Sequence, residues 1–308
     1  MIKSRLLIGA AAAICLIATT PAFASDELVI DDGSNYTPVD VELQLLIDTS
    51  GSISSQEYEL QMRGYYNAFR SSSIQDAILD TSGGSYGSIA VQTVMWSSRG
   101  TQQAMTDWTL LDSVESINSY ADTMYNIDRP FYGQTYNAEA LSFGSSLFDN
   151  SFAGTRSVID MSGDGYGYDY MFGPGGAYEA WGSSYYTGND TADARDFALE
   201  NYVDTINGLT ITYDYGQLGD QDLTTWFAGN VIGGTNAFVL QAGDFADFTV
   251  ALAQKLEAEI DGSYIPTNAI RPGEVYSAPA PLAGSGLLSL LLIGLYRLFP
   301  SRKETQMV

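Results

Sequence analysis

An apolar run that ends in a carboxylate constrains this chain most. Val41-Glu42-Leu43-Gln44-Leu45-Leu46-Ile47 leads into Asp48-Thr49-Ser50-Gly51-Ser52, and Gln56 to Arg70 then reads as a helix. A run this apolar fits a strand buried on both faces, as strands are in a parallel sheet covered by helices. The alternation continues down the chain. Strands are predicted at Val41–Ile47, Ser88–Trp96, Ser157–Ser162, Leu209–Tyr213 and Ala237–Gln241. Helices are predicted at Gln56–Arg70, Leu111–Tyr125, Asn137–Phe148, Thr191–Ile206 and Phe245–Ile260. The expected fold is therefore α/β and Rossmann-like, with a mostly parallel central sheet and helices on both faces. Phe245, Phe248, Leu252 and Leu256 recur at helical spacing and are expected to pack on that sheet.

The D-x-S-x-S loop carries the chemistry. Asp48, Ser50 and Ser52 offer one carboxylate and two hydroxyls, hard oxygen donors suited to Mg²⁺, Ca²⁺ or Mn²⁺. In an extended loop, alternate residues point the same way and can converge on one ion. The carboxyl end of a strand is also where open α/β sheets bind ligands. Small polar residues with glycine also form ordinary strand-to-helix turns and N-caps. Two later segments tip the balance toward a site. Gly133-Gln134-Thr135 opens a helix at Asn137, and Ser157-Val158-Ile159-Asp160-Met161-Ser162 runs into Gly163-Asp164-Gly165.

This order of motifs resembles the von Willebrand factor A-type domain and its metal-ion-dependent adhesion site. The resemblance implies a divalent cation held by Asp48, Ser50, Ser52, Thr135 and Asp164, with an open position for a partner carboxylate. Asp160 is the alternative third acid, but it falls in mid-strand and is expected to face a helix or a neighbouring strand. Gly87 to Ser97, Val158 to Gly165, Ala237-Phe238-Val239 and Asp244 to Phe248 are similar to a secreted bacterial subfamily of A-type domains. That subfamily has no settled activity, so the likeness implies a fold and a site rather than a task.

Composition narrows the chemistry further. The chain has no histidine, and its one cysteine, Cys15, lies in the N-terminal apolar stretch. Ser-His-Asp and Cys-His catalysis and the usual histidine-containing zinc sites are thereby excluded. Lys255 is the only lysine between Lys3 and Lys303 and is expected on the solvated face of its helix. All acidic residues but Glu304, and only eight of the 13 basic ones, fall between Ser25 and Ala280, an excess of 28 negative charges. Such a field repels nucleic acid and concentrates cations.

The ends of the chain suggest export. Lys3 and Arg5, the apolar Leu6 to Ala18 and the small residues Ala22-Phe23-Ala24 form a signal-peptide pattern, so residues 1–24 are expected to be removed. A leader follows at 25–38, and the A-type domain at 39–261. Within that domain, 165–190 is an insertion rich in tyrosine and glycine, suited to stacking on sugars or packing on a partner. A spacer at 262–281 carries Pro266, Pro272, Pro279 and Pro281. An apolar stretch at 282–299 and a basic tail at 300–308 complete the chain. This ending is similar to a PEP-CTERM-type sorting signal, though Ala278-Pro279-Ala280-Pro281 stands in place of Pro-Glu-Pro. A plain membrane anchor is the other reading of the same segment.

The expected function is a non-enzymatic, metal-dependent adhesion module outside the cell. It would engage a protein or polysaccharide ligand at the cell surface or matrix, without nucleic acid and with membrane contact through the C-terminal segment. A carboxylate-based hydrolase acting on polysaccharide and a structural surface or matrix component are the alternatives.

Overall fold

The structure, a computed structural model, describes residues 36–166, 190–212, 222–243 and 245–275. The signal peptide, most of the leader, the body of the insertion and the stretch at 282–299 lie outside the described residues. No helix of the described residues is long and apolar enough to cross a membrane.

Among the described residues, eight strands form one mixed sheet: β1 (Thr37–Asp48), β2 (Ile89–Trp96), β3 (Gln102–Ala104), β4 (Thr109–Leu111), β5 (Phe152–Gly163), β6 (Thr205–Ile211), β7 (Gly233–Gly234) and β8 (Val239–Ala242). β1 is central, parallel to β2 on one side and to β5 on the other. β6 runs parallel to β5, and β8 parallel to β6. The short β3 and β4 run antiparallel to β2, and β7 antiparallel to β6. The chain leaves β1 for one side of the sheet and returns to the other, so Asp48 ends a strand at the switch point of the topology.

Among the described residues, seven α-helices flank the sheet: α1 (Ser55–Phe69), α2 (Ser72–Ile78), α3 (Val114–Tyr125), α4 (Asn137–Ser145), α5 (Asp190–Asn201), α6 (Leu223–Asn230) and α7 (Phe245–Asp261). Ser54 caps α1 in a reciprocal box with Glu57, which fixes where the loop after Asp48 becomes helix. Tyr58, Met62, Tyr65 and Phe69 of α1 join Phe248, Leu252 and Leu256 of α7 in the core on one face of the sheet. Ala140 and Leu141 of α4 join Trp226 and Phe227 of α6 in the core on the other. Phe248, Leu252 and Leu256 are fully buried, as their spacing predicts; each contributes about 1.5–3 kcal/mol. Sandwiched between the layers, β1 is buried from Val41 to Asp48 on both faces.

Three expectations are corrected. The helix predicted to reach Ile206 stops at Asn201, where the amides of Tyr202 and Val203 both turn back to the Ala198 carbonyl. Thr205 and Ile206, both β-branched, then pair with Val158 and Ile159 and open β6 earlier than predicted. Leu111 belongs to β4, and α3 begins only at Val114, after the Ser113 cap.

Lys255 is the largest departure, because it is fully buried rather than solvated. It lies 2.6 Å from Asp160 and also pairs with Glu259 one turn along α7. The inward face of α7 runs through Leu252, Lys255, Leu256 and Glu259, so two polar residues share the stripe of the apolar ones. Their counterpart Asp160 is more than ninety residues away in sequence and faces α7 from mid-strand, the orientation expected for it.

Candidate metal centre

β1 delivers Asp48 to the rim of the sheet, and the next residues fold back on its carboxylate. The Ser50 amide donates to Asp48 Oδ1 at 2.7 Å. Thr49 anchors the turn, its amide and its hydroxyl both donating to the Trp96 carbonyl at the end of β2. Ser50 Oγ and Ser52 Oγ share a hydrogen bond at 3.1 Å, and Ser52 Oγ donates to Asp164 Oδ1 at 2.7 Å. β5, the strand beside β1, brings Asp164 in: Ile47 pairs with Ser162, and Gly163 and Asp164 follow.

The Gly133–Thr135 segment closes the third side. The Gly51 amide donates to the Gly133 carbonyl at 2.7 Å. A Cβ on Gly51 would fall 3.1 Å from the Gly133 carbonyl oxygen, so this approach leaves little room for a side chain at 51, while a Cβ on Gly133 would meet the Ser98 hydroxyl, which would have to turn aside. Thr135 Oγ1 sits 3.3 Å from where a Cβ on Gly165 would stand, so its hydroxyl lies against the Asp164 turn. All five residues named from the sequence therefore border one place. Asp48, Ser50, Ser52 and Asp164 are linked through hydrogen bonds, and Thr135 is seated beside them. Asp48 and Ser50 are fully buried, Thr135 and Asp164 are half-buried and Ser52 is exposed, so a closed floor opens to solvent.

Arg129 completes the architecture and was not identified from the sequence. Its guanidinium donates to the carbonyls of Thr49, Ser50, Ile53 and Phe131, over 2.5–3.3 Å. It also lies 3.9 Å from the ring centroid of Tyr132, which is mostly exposed. One side chain thus holds the loop that carries Asp48, Ser50 and Ser52. A lone arginine in a coil segment has no spacing signature, so only the fold reveals its role.

Electrostatically the site is short of positive charge. Burial, and then the nearby charge of Asp164, push the Asp48 carboxyl up to about 8. Burial likewise raises Asp164 to about 6, against the Ser52 hydrogen bond and the charge of Arg129. Asp48 Oδ2 is buried with no hydrogen-bond partner. Carboxylates so placed keep their protons unless a cation accompanies them. The donor set, two acids with three hydroxyls nearby, fits a hard divalent cation, which would give Asp48 Oδ2 the partner it lacks. Among the described residues no group of three or more His, Cys, Asp or Glu gathers as a metal cluster, so hydroxyls have to supply the remaining protein donors.

The fold is also that of known proteins. The pilus adhesin SpaC from Lactobacillus rhamnosus GG superposes with a TM-score of 0.51 at 16% identity, over 74% of this chain and 31% of that one. The von Willebrand domain of the type V pilus tip protein Mfa5 from Porphyromonas gingivalis gives 0.43 at 12% identity, over 74% of this chain and 98% of that one. Proximal thread matrix protein 1 from the mussel byssus, in a structure with a zinc-occupied MIDAS motif, gives 0.44 at 12% identity, over 73% and 49%. The chain spans about a third to a half of the length of the first solved structures it matches. None of the curated proteins matches it. The architecture is the von Willebrand A-type, Rossmann-like α/β fold. Residues 38–264 match the family described as a protein of unknown function, DUF1194, and the chain belongs to that family.

Proposed function

We propose that this protein is an extracytoplasmic adhesion module that binds a partner carboxylate through a divalent cation. The observation that carries the reading is the Asp48 carboxylate: fully buried, one oxygen without a partner, beside a second raised acid. Asp48 and Asp164 would hold the cation with the hydroxyls of Ser50, Ser52 and Thr135. When bound, the cation would supply a Lewis-acidic position able to accept an oxygen ligand from outside. The hydroxyls are neutral, so the two carboxylates at most balance the ion's charge, and a coordination position left open would still accept an oxygen from an acidic partner. Ser52 and Thr135, at the open side, set its approach, while Arg129 keeps the loop carbonyls from collapsing inward.

Adhesion, rather than turnover, is supported by the absence of histidine and by a solved pilus adhesin of the same fold; the second argument is analogy at the level of fold. The partner would be a protein or polysaccharide of the cell surface or matrix. Export through residues 1–24 and retention through 282–299 belong to the same proposal.

The test is calorimetric titration of the purified full-length protein with Mg²⁺, Ca²⁺ and Mn²⁺, wild type against Asp48→Ala. Saturable binding lost in the variant is expected, and equal affinity in the two removes the metal from the proposal. Capture of surface material that disappears on chelation then extends the result from metal to adhesion.

A further inference from the structure

We propose that Lys255 and Asp160 join as an intramolecular amide, formed by the folded chain itself with Glu259 as the proton carrier. The bond ties α7 to the middle of β5. The chain has no cysteine beyond Cys15, so no disulfide can tie these elements. The inference does not depend on the metal site.

The three side chains meet in the core, Lys255 and Asp160 at 0% exposure and Glu259 at 2%. Lys255 Nζ stands 2.6 Å from Asp160 Oδ1. Neither oxygen of Asp160 has a hydrogen-bond partner, so this close approach lacks hydrogen-bond geometry. With a carbon–oxygen bond of about 1.23 Å, Nζ lies at most about 3.8 Å from Asp160 Cγ. Atoms poised to react stand about 3–3.5 Å apart, so a small shift suffices. Glu259 is placed differently. Its Oε1 accepts hydrogen bonds from Lys255 Nζ and, at 2.9 Å, from Asn207 Nδ2. Its Oε2 has no partner and is free to carry a proton. Nζ thus meets Glu259 in the geometry that moves a proton, and meets Asp160 with the carboxyl carbon unshielded by hydrogen bonds.

The surroundings favour condensation. Leu45 and Asn207 flank Asp160 on the neighbouring strands. Leu252 and Leu256 of α7 and Tyr65 of α1 are fully buried in the same core. Each buried ion carries a desolvation penalty, whereas an amide carries no charge. Groups held in such register act at effective molarities of about 10⁵–10⁸ M. Burial pushes Glu259 up to about 8, so near neutral pH it holds a proton to give. Nζ first passes a proton to the Asp160 carboxylate, leaving an amine and a carboxylic acid. The nitrogen lone pair attacks Cγ, and the C–N bond forms. Glu259 takes a second proton from the nitrogen and gives its own to the Asp160 hydroxyl. The C–O bond breaks, and the oxygen leaves as water, which reaches solvent on local opening of α7. Ammonium and carboxylate become one amide and one water, and Glu259 ends protonated as it began. The cluster stays neutralised from within, by a bond in place of an ion pair.

The experiment is mass spectrometry of the purified full-length protein, unfolded and digested with trypsin. Between Arg156 and Arg271, only Arg195 and Lys255 offer trypsin a cut. The expected product is peptide 157–195 joined to the one that begins at residue 196, uncut after Lys255 and one water lighter than the two together. Fragmentation should place the link at Asp160 and Lys255. Lys255→Met and Asp160→Ala should each release 157–195 as a free peptide. Glu259→Gln should lower the joined fraction at least tenfold. Complete cutting after Lys255 in wild type, with 157–195 free at its full mass, overturns the proposal and needs no variant to fold. A link to Glu259 in place of Asp160, or equal joining in Glu259→Gln, overturns the roles assigned to the two acids.

Discussion

Acids are buried in two places along β5, and the two places handle them differently. At mid-strand, Asp160 meets Lys255 and Glu259 in a cluster that contains its own cation. At the end of the strand, Asp164 meets Asp48 with hydroxyls alone, and the nearest guanidinium, Arg129, is committed to four backbone carbonyls. Residues 160 and 164 are four apart on one strand, so burial alone does not separate a structural cluster from a binding one. What separates them is whether the chain supplies the counter-charge. A cluster neutralised from within holds α7 to the sheet. A cluster left short of positive charge is stable only with protons or with a cation from outside.

The contrast is tested most severely at Lys255. Lys255→Met leaves Asp160 and Glu259 buried without their cation, a change expected to cost about 3–5 kcal/mol. Urea unfolding with chelator present measures it. A loss below about 1 kcal/mol would mean that the lysine is not what holds α7. The corresponding change at the other place has the opposite sign. Asp48→Asn removes a buried carboxyl with no partner for Oδ2, so the metal-free protein should gain stability at alkaline pH.

The pH dependence follows from the same groups. Asp48 and Glu259 hold their protons up to about 8 in the folded protein, against ordinary values of 3.8 and 4.5. The folded state therefore binds these two protons more tightly than the unfolded chain does. Their stabilising effect is complete below about pH 4 and is lost as the pH rises through 8, by on the order of a few kcal/mol. Chemical denaturation across pH 4–9 reads this slope. A divalent cation should flatten the part due to Asp48, and Glu259→Gln the part due to the core cluster. If saturating cation leaves the profile of wild type unchanged, the two places are not distinct in the way argued.

Saturation itself gives the next effect. Cation at a hundred times its Kd should stabilise the folded protein by about 2.7 kcal/mol, a rise in thermal midpoint that Asp48→Ala abolishes. Arg129→Ala comes next, lowering cation affinity by about tenfold, or 1.4 kcal/mol, without removing a donor. An effect on folding with none on cation binding would make Arg129 a scaffold residue only.

The two places also differ in how far the sequence revealed them. The Asp48 loop could be read directly because its donors recur at short spacing after an apolar run, and two more glycine-flanked motifs follow in order. Parallel pairing of β1 with β5 and the contact of Gly51 with Gly133 then bring distant segments together, as a doubly covered sheet requires. Arg129 escaped notice because its bonds go to carbonyl groups, which carry no sequence signal. Lys255 was misplaced because a lysine in an amphipathic helix usually points outward. Only its partner Asp160, on another element, shows that it points inward. The short β3, β4 and β7 and the helices α2 and α6 were also missed, because segments this brief owe their form to the neighbours they pair or pack with.

The smallest effect isolates the variable that matters. Glu59 and Arg63 on α1 are an acid and a base four residues apart, the same spacing that joins Lys255 to Glu259 on α7. The α1 pair is 2.8 Å apart, with half or more of each side chain exposed. Water screens it, so Arg63→Ala should change stability by less than about 0.5 kcal/mol, and less still in molar salt. Lys255→Met should cost several times more and respond little to salt, because no counter-ion reaches a fully buried pair. Denaturation of both variants at low and high ionic strength makes the comparison, with helix spacing held constant and burial varied. Similar, salt-sensitive losses at the two pairs would show that water reaches Lys255, and the division between a self-neutralised core and a cation-seeking rim would fail.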